Sequence, residues 1–310
     1  MIKTLTLISF YILLTGCSIS NSLVYTGDNK NTPQMKIKIL DQTSLAYKTK
    51  KSLPFSEISD ISYDAKHQKL YMIGDKGYFY TFSAKFSDKI DKLKYLGANK
   101  LREQKSKSSY DSEGLTHDNR GQLYISFEGT PRVATINTSG YIGKNLKLTN
   151  HIKNSKNYRG SNKMFEALAW HPKYGILTAA EYPTRNKKIK EQSIYSLNGK
   201  VWNFKAEPHK NSAVTAIEVM DDGNLLILER AYAGLSKPFV ITLKKLYLNK
   251  CDKKHQCKTE ILASMNSYDG WAVNNYEGLA KVGKNRYLMV SDNNNKQLLR
   301  TVLVYFEVKQ

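Results

Sequence analysis

Residues 276–306 read YEGLAKVGKNRYLMVSDNNNKQLLRTVLVYF. This stretch predicts two short strands and a third behind them, because apolar, β-prone runs lie on both sides of the turn residues 283–285. Glu277 stands before the first strand and Asp292 follows the second. Antiparallel strands bring the start of one beside the end of the next, so we expect the two carboxylates to share one edge of the sheet.

The same unit recurs along the chain. Two acids stand fifteen residues apart in three of the repeats and eighteen apart in the first, and the units begin about every 50 to 60 residues. The fourth unit lacks the leading acid but keeps the second. The acids are Glu57 and Asp75, Glu113 and Glu128, Glu166 and Glu181, Glu229 alone, and Glu277 and Asp292. Short strands repeated at this period are typical of a β-propeller.

We therefore predict an all-β fold, a β-propeller of five blades over residues 35–310, with six blades left open if a degenerate repeat is present. The fifth repeat ends after three strands, at the end of the sequence. Residues 35–40 alternate as an edge strand does and belong to no repeat. We expect this strand to complete the fifth blade and close the ring, which removes an exposed edge.

The N-terminus predicts an exported protein. A lysine precedes an apolar segment that is too short to cross a bilayer, and residues 14–17 read LTGC. This tetrapeptide resembles a bacterial lipobox, which implies removal of residues 1–16 and lipidation of Cys17. Ser18 follows it, which in Gram-negative lipoproteins implies the outer membrane, with the protein facing the periplasm or the cell surface. The alternative is an ordinary secretory signal. Residues 17–34 are polar and predict a tether.

The chain is basic, with a formal net charge of +21 from 48 Lys and Arg against 27 Asp and Glu. This charge indicates either attraction to anions, such as phosphorylated substrates or lipid headgroups, or lysines dispersed over solvated faces. No nucleic-acid-binding motif is present, so we expect no nucleic-acid partner, and we expect a monomer. Outside the lipobox the cysteines are Cys251 and Cys257. They predict a local disulfide in an oxidising compartment, since a metal site would need more ligands than these and His255.

Six segments together resemble a known bacterial family, that of phytase-like domains described by an esterase-like activity of phytase. The resemblance implies hydrolysis of phosphoesters or esters, and the first repeat, with ISDI at 58–61, departs most from it. The segments are IGDKG at 73–77, EGLTHD at 113–118, SFEGTPRV at 126–133, FEALAWHP at 165–172, LLILERAY at 225–232 and YEGLA at 276–280.

The acids of successive repeats predict an acidic ring at one mouth of the propeller channel. Clustered carboxylates either hold protons or neutralise a cation, and an oxygen-rich site suits Ca²⁺. The predicted metal ligands are Glu113, Glu166, Glu277, Asp292 and Asn293. The predicted catalytic or substrate-binding residues are Glu128, Glu181, Glu229, Arg132 and Arg230, the arginines holding an anionic small-molecule substrate. The alternative is that the acids cap strand ends and pair with Arg132, Arg230 and Arg300.

His117 and His171 occupy similar positions in the second and third repeats, which favours a shared packing role over a general base. Two classes of function stay open. One is a lipid-anchored hydrolase of phosphoesters, carboxylic esters or lactones that depends on calcium or another divalent cation. The other is a non-catalytic propeller that serves as a scaffold or ligand-binding module of the cell envelope, because a propeller fold alone does not decide function.

Overall fold

Short antiparallel strands build the protein. The computed structural model describes residues 22–27, 35–47, 49, 53–103, 110–234, 236–295 and 300–309. In this part of the chain the strands are β1 Val24–Tyr25, β2 Ile37–Leu45, β3 Ile58–Asp64, β4 Lys69–Gly74, β5 Tyr78–Phe86, β6 Ile90–Lys100, β7 Ser112–His117, β8 Leu123–Phe127, β9 Arg132–Ile136, β10 Ile142–Asn145, β11 Phe165–His171, β12 Gly175–Ala180, β13 Glu191–Ser196, β14 Val201–Lys205, β15 Ser212–Val219, β16 Leu225–Ala231, β17 Val240–Cys251, β18 Cys257–Asn266, β19 Trp271–Ala272, β20 Asn275–Gly283, β21 Arg286–Asp292 and β22 Thr301–Val308. One short helix, Asn150–Lys153, and two 3-10 turns, Ser155–Asn157 and Ser267–Asp269, lie in the links.

The strands pair into five four-stranded sheets, which are the blades of a propeller. The first four blades each use consecutive strands, β3 to β6, β7 to β10, β11 to β14 and β15 to β18. The fifth blade has the order β20-β21-β22-β2, and β1 pairs with β19 in a separate two-stranded sheet. The prediction of an all-β, five-bladed propeller is confirmed.

The N-terminal strand closes the ring as predicted. Strand β2 runs antiparallel to β22 at the outer edge of the fifth blade, with Ile37 opposite Val308 and Leu45 opposite Thr301. The strand extends five residues beyond the predicted end at residue 40. Strands β2 and β22, from opposite ends of the propeller, are therefore held in one sheet, which leaves the last blade without an open edge on β22.

Both faces of a blade are covered, and this explains the nearly continuous apolar strands. In β22, seven of eight residues are buried. Leu303 and Tyr305 pack into a core shared with the first blade, whereas Val304 and Phe306 pack into a core shared with the fourth. Alternate side chains thus stabilise opposite blade interfaces. Burying a side chain of this kind is worth about 1.5–3 kcal/mol.

Each innermost strand carries a β-bulge near its start. The register with the second strand shifts near this start in every blade, at Ser59, Glu113–Gly114, Glu166, Thr215 and Glu277, and the fifth blade has a second shift between Lys281 and Gly283. A bulge inserts an unpaired residue and re-aims its side chain. The repeated acids of the sequence therefore occupy the bulge positions in the second, third and fifth blades.

Asp60 ties three blades together at the centre of the ring. Its carboxylate accepts hydrogen bonds from the backbone N–H of Leu115 in the second blade, at 2.7 Å, and of Leu279 in the fifth, at 3.2 Å. The side chain is 2% exposed, and burial holds its pKa well above the usual range. Buried backbone groups need partners, so Asp60 supplies acceptors that the strand ladders do not.

Cys251 and Cys257 form a disulfide at paired positions of β17 and β18, as the sequence predicts.

Residues 1–16 and Cys17 lie outside the described residues. Residues 22–27, which the sequence assigns to the tether, are docked: Leu23 is 2% exposed, and the backbone N–H of Thr26 donates to the carbonyl of Gly270. Among the described residues, no helix has the length and apolar character needed to cross a bilayer.

Candidate functional site

One mouth of the channel, called here the carboxylate mouth, carries two rings of side chains. The inner ring consists of the bulge residues named above. The outer ring lies at the end of the second strand of each blade. Each of its members pairs with the first-strand residue that stands two positions before the bulge. Its members are Asp75, Glu128, Glu181, Arg230 and Asp292. The two rings meet because strand pairing brings the start of each first strand beside the end of the second.

The register corrects the first repeat. The bulge position belongs to Ser59, whose hydroxyl donates to the carboxylate of Asp75 at 2.5 Å. Glu57, the predicted leading acid, stands before the strand with a φ of 52° and forms an ion pair with Lys76 at 2.7 Å. The first blade therefore contributes one carboxylate from its strands to the two rings, that of Asp75.

The register also corrects the fourth repeat. Arg230, not Glu229, pairs with the residue two places before the bulge, and so takes the place that an acid holds in the other blades. Neighbouring residues of a strand point to opposite faces. Glu229 therefore lies on the other face of the fourth blade, outside the two rings.

Glu229 belongs to a separate buried ion-pair network. The ammonium of Lys244 lies 2.8 Å from Glu229 and 2.6 Å from Glu207. Ser212 and the backbone N–H of Glu207 also donate to Glu229. Lys244 is completely buried and Glu229 is 1% exposed, so this network stabilises the blade and presents no group to a ligand.

The second and third blades bring five acids together, called here the carboxylate cluster. One carboxylate oxygen each from Asp111, Glu113 and Glu128 lie within 4.8 Å of one another, and the same holds for Glu128, Glu166 and Glu181. Glu128 is common to both groups and is 8% exposed. The sequence predicted four of the five residues but missed Asp111, whose place two residues before the bulge is held by an acid in one other blade, by Glu57 in the first.

Two cations contact the cluster, and both contact Glu181. Lys163 binds one of its carboxylate oxygens, and Arg230 lies 3.2 Å from the other. Glu181 itself is 3% exposed. In the described part of the chain, no Lys or Arg forms an ion pair with the remaining four acids, so the cluster carries an excess of negative charge.

Burial and the neighbouring negative charges raise the proton affinities of carboxylates in the cluster. Burial, and next the charge of Glu166, hold the pKa of Glu113 well above its usual range. Burial, and next the charge of Glu181, do the same for the pKa of Glu166. Burial raises the pKa of Glu128 to about 8, against an opposing hydrogen bond from the N–H of Met164. Without a cation, shifts in this direction favour the protonated form of all three groups.

Glu277 and Asp292, both predicted metal ligands, lie in a neighbouring hydrogen-bonded group. Arg230 pairs with Glu277, and the amide of Asn275 donates to both carboxylates. Burial raises the pKa of Glu277 to about 8 and that of Asp292 to about 7. Asn293 uses its carbonyl oxygen to accept from the backbone N–H of Glu57, at 3.0 Å.

Arg132 is engaged away from these acids. Its guanidinium lies 3.0 Å from Glu103 and 4.2 Å above the ring of Phe127. Of the two predicted substrate-binding arginines, the structure therefore brings only Arg230 to the cluster. Arg230 is already paired with Glu181 and Glu277, which agrees in part with the alternative of acids paired with arginines.

The opposite mouth holds a cavity of about 560 Å³ lined by His117 and Trp170. His117 contacts the hydroxyl of Ser62 at 2.7 Å through Nδ1. His171 is not its counterpart: it accepts from the N–H of Lys173 at 3.0 Å, just as Asp118 accepts from the N–H of Arg120 in the second repeat. His171 therefore caps a hairpin turn.

A divalent cation fits the carboxylate cluster. All the donors are carboxylate oxygens, which hard cations such as Ca²⁺ and Mg²⁺ prefer. Two of the acids are nearly inaccessible, and the local cations contact only Glu181. A buried group of like charges is stabilised by a counter-ion. The residues that would hold it are Asp111, Glu113, Glu128, Glu166 and Glu181.

These features define a five-bladed propeller with a carboxylate site at one mouth. A family model described as phytase-like, with esterase-like activity of phytase, matches residues 53–295. The chain belongs to this family. No functionally curated protein matches the sequence.

Solved structures also resemble the chain, all at low identity. A luciferin-regenerating enzyme is 10% identical over 82% of this chain and 95% of its own, with a TM-score of 0.43. A protein of unknown function from Bacteroides caccae is 12% identical over 78% and 72%, with a TM-score of 0.42. The WD40 domain of Neurospora crassa Pan2 is 9% identical over 88% and 96%, with a TM-score of 0.37. We draw no functional inference from these likenesses.

Proposed function

We propose that the protein is a hydrolase of phosphoesters or carboxylic esters that depends on a divalent cation, most simply Ca²⁺, bound by the carboxylate cluster. The observation that supports this most directly is the pair of carboxylate groups that share Glu128. The family description supports the reaction class. The predicted lipid anchor at Cys17 would place this chemistry at the cell envelope, with the outer membrane as the proposed location.

The residues of the cluster divide into ligands and groups that hold them. Glu128 is positioned by the N–H of Met164, and Glu181 by Lys163 and Arg230. A bound divalent cation polarises a phosphoryl or carbonyl oxygen of a substrate. Lys163 is 31% exposed at its side chain, so its ammonium lies at the border between the cluster and solvent. It is the group best placed to attract an anionic substrate.

Removing the cation should abolish hydrolysis. We expect purified protein to cleave p-nitrophenyl phosphate or p-nitrophenyl acetate with Ca²⁺, to lose this activity in EDTA, and to regain it when Ca²⁺ is restored. Glu128→Gln should lower the rate by at least the roughly 10- to 100-fold that loss of a metal site's supporting group costs.

Glu307→Gln is the matched control, because Glu307 lies on the outer part of the fifth blade and its ion-pair partner among the described residues is Arg286, at 3.6 Å. This variant should retain full activity. Hydrolysis that EDTA does not change would contradict the proposed cation dependence. Cation binding without hydrolysis of either ester would contradict the proposed hydrolase activity and favour a non-catalytic ligand-binding module.

A further inference from the structure

The carboxylate mouth opens on one side of the disc, called here the carboxylate face. Antiparallel order places the links between second and third strands, and those between consecutive blades, on this same side. Ile189 lies in the link from β12 to β13, Tyr232 in the link from β16 to β17, and Tyr268 in the link from β18 to β20. These three links belong to successive blades, the third, the fourth and the passage to the fifth.

The three side chains are large, apolar or aromatic, and exposed. Ile189 is 55% exposed, Tyr232 47% and Tyr268 63%. Single exposed apolar residues are ordinary on a protein surface, and what sets these three apart is that they lie on neighbouring links of one face. Tyrosine is also enriched where proteins meet the interface of a bilayer.

Exposed lysines surround these side chains. Lys188 and Lys190 lie on both sides of Ile189, Lys210 lies in the link from β14 to β15, and Lys237 follows Tyr232 in its link. The exposed acids on this face include Asp269, beside Tyr268, and Asp111, at the carboxylate mouth. Basic residues interleaved with apolar ones suit a surface of anionic lipid headgroups.

The described chain begins on this same face. Strand β1 pairs with β19, in the link that carries Tyr268, and Val24 in β1 is 38% exposed. Leu23 is buried beneath it. Four residues, 18–21, separate Cys17 from the first described residue. A chain of this length spans at most about 18 Å, at roughly 3.6 Å per residue.

We propose that the carboxylate face is a membrane-docking surface that lies against anionic phospholipid, with Ile189, Tyr232 and Tyr268 at the interface and the lysines on headgroups. A lipid on Cys17 would reinforce the same orientation, because the described chain begins on this side of the disc. The proposed surface is formed by side chains of the propeller itself. Its test therefore requires neither the lipid on Cys17 nor the proposed hydrolysis.

The test is sedimentation of the full chain with Cys17→Ser, which carries no lipid, with vesicles of phosphatidylglycerol mixed with phosphatidylcholine. We expect binding to these vesicles and much weaker binding to pure phosphatidylcholine. Lys188→Gln and Lys190→Gln should each weaken binding about fivefold, the value of one lysine near an anionic surface. Tyr268→Ser should also weaken it, because it removes apolar contact area.

Two matched controls separate this face from general attraction of a basic protein. Lys92→Gln and Lys94→Gln remove the same charge from the outer strand β6 and should leave binding unchanged. Tyr141→Ser changes a side chain that is 37% exposed in the turn between β9 and β10, on the other side of the disc, and should also leave binding unchanged. Equal losses in the two lysine pairs, or no effect of Tyr268→Ser, or no binding to the anionic vesicles, would overturn the proposal.

Discussion

Replacing Lys244 with methionine is expected to lower the free energy of unfolding by about 3–5 kcal/mol. The substitution keeps the apolar length of the side chain but leaves Glu229, at 1% exposure, without its cation. Glu207 loses the same partner. An uncompensated buried charge costs far more than the net worth of an intact pair, which accounts for the size of the effect. Urea unfolding followed by circular dichroism measures it.

Two controls make the result specific to burial. Lys76→Met removes the cation of Glu57, but Lys76 is 53% exposed at its side chain, so the loss should stay within about 1 kcal/mol. The double variant Lys244→Met with Glu229→Gln should lose less stability than the two single losses added together, because Glu229 no longer remains as a buried charge without its cation. A loss below about 1 kcal/mol for Lys244→Met would show that the network contributes little.

The second large effect is on the pH dependence of the metal-free protein. Glu128 and Glu277 each have a pKa raised to about 8 in the folded state, and burial is the first cause of both shifts. The folded protein therefore binds more protons than the unfolded chain between the ordinary carboxyl pKa and about pH 8. Stability must fall as pH rises through this window, and one pKa unit corresponds to about 1.4 kcal/mol.

In EDTA we therefore expect the free energy of unfolding to fall by on the order of 4 kcal/mol for each of the two groups between pH 5 and pH 8.5. Added Ca²⁺ should flatten the curve, because the cation binds the deprotonated carboxylates. Urea unfolding across this range, with EDTA and with Ca²⁺, measures both curves. Stability that is constant or rises with pH in EDTA would mean that the cluster's acids are paired internally.

The fold was predictable because its signals are local. Apolar runs, turn residues and the recurrence of the unit at 276–306 indicate strands and their number, and the missing fourth strand of the last blade predicts the closure by β2. The predicted N-terminal strand, residues 35–40, stops short of the observed end of β2 because polar Asp41 and Gln42 break the apolar alternation. Both residues nevertheless pair with β22.

The site was less predictable, because it depends on register. A shift of one residue moves a side chain to the other face of its sheet. The fourth repeat offers Glu229 and Arg230 side by side, and only the observed pairing shows that Arg230 reaches the mouth. The first repeat likewise offers Glu57 two residues before Ser59, which holds the bulge. Neither composition nor spacing indicates which of these neighbouring residues faces the mouth.

Other contacts join residues that are distant in sequence. Asp60 binds the backbone of Leu115 and Leu279, and Asp111 enters the cluster only because the link before β7 folds over the end of β8. The spacing of the repeated acids does not indicate these contacts, because they depend on how separate blades and links meet. The shared position of Glu113 and Glu166 was predictable because each stands fifteen residues before a second acid.

The central claim is that the carboxylate cluster binds a divalent cation, and thermal unfolding of wild type and Glu128→Gln, each with Ca²⁺ and with EDTA, tests it most directly. For wild type we expect Ca²⁺ to stabilise the protein by about 2.7 kcal/mol at a hundredfold excess over Kd, seen as a higher Tm than in EDTA. Glu128→Gln should lose most of this response while remaining at least as stable as wild type in EDTA, because it removes one of several mutually repelling acids. A wild-type Tm that does not change with Ca²⁺, or a variant that keeps the full response, would contradict the account.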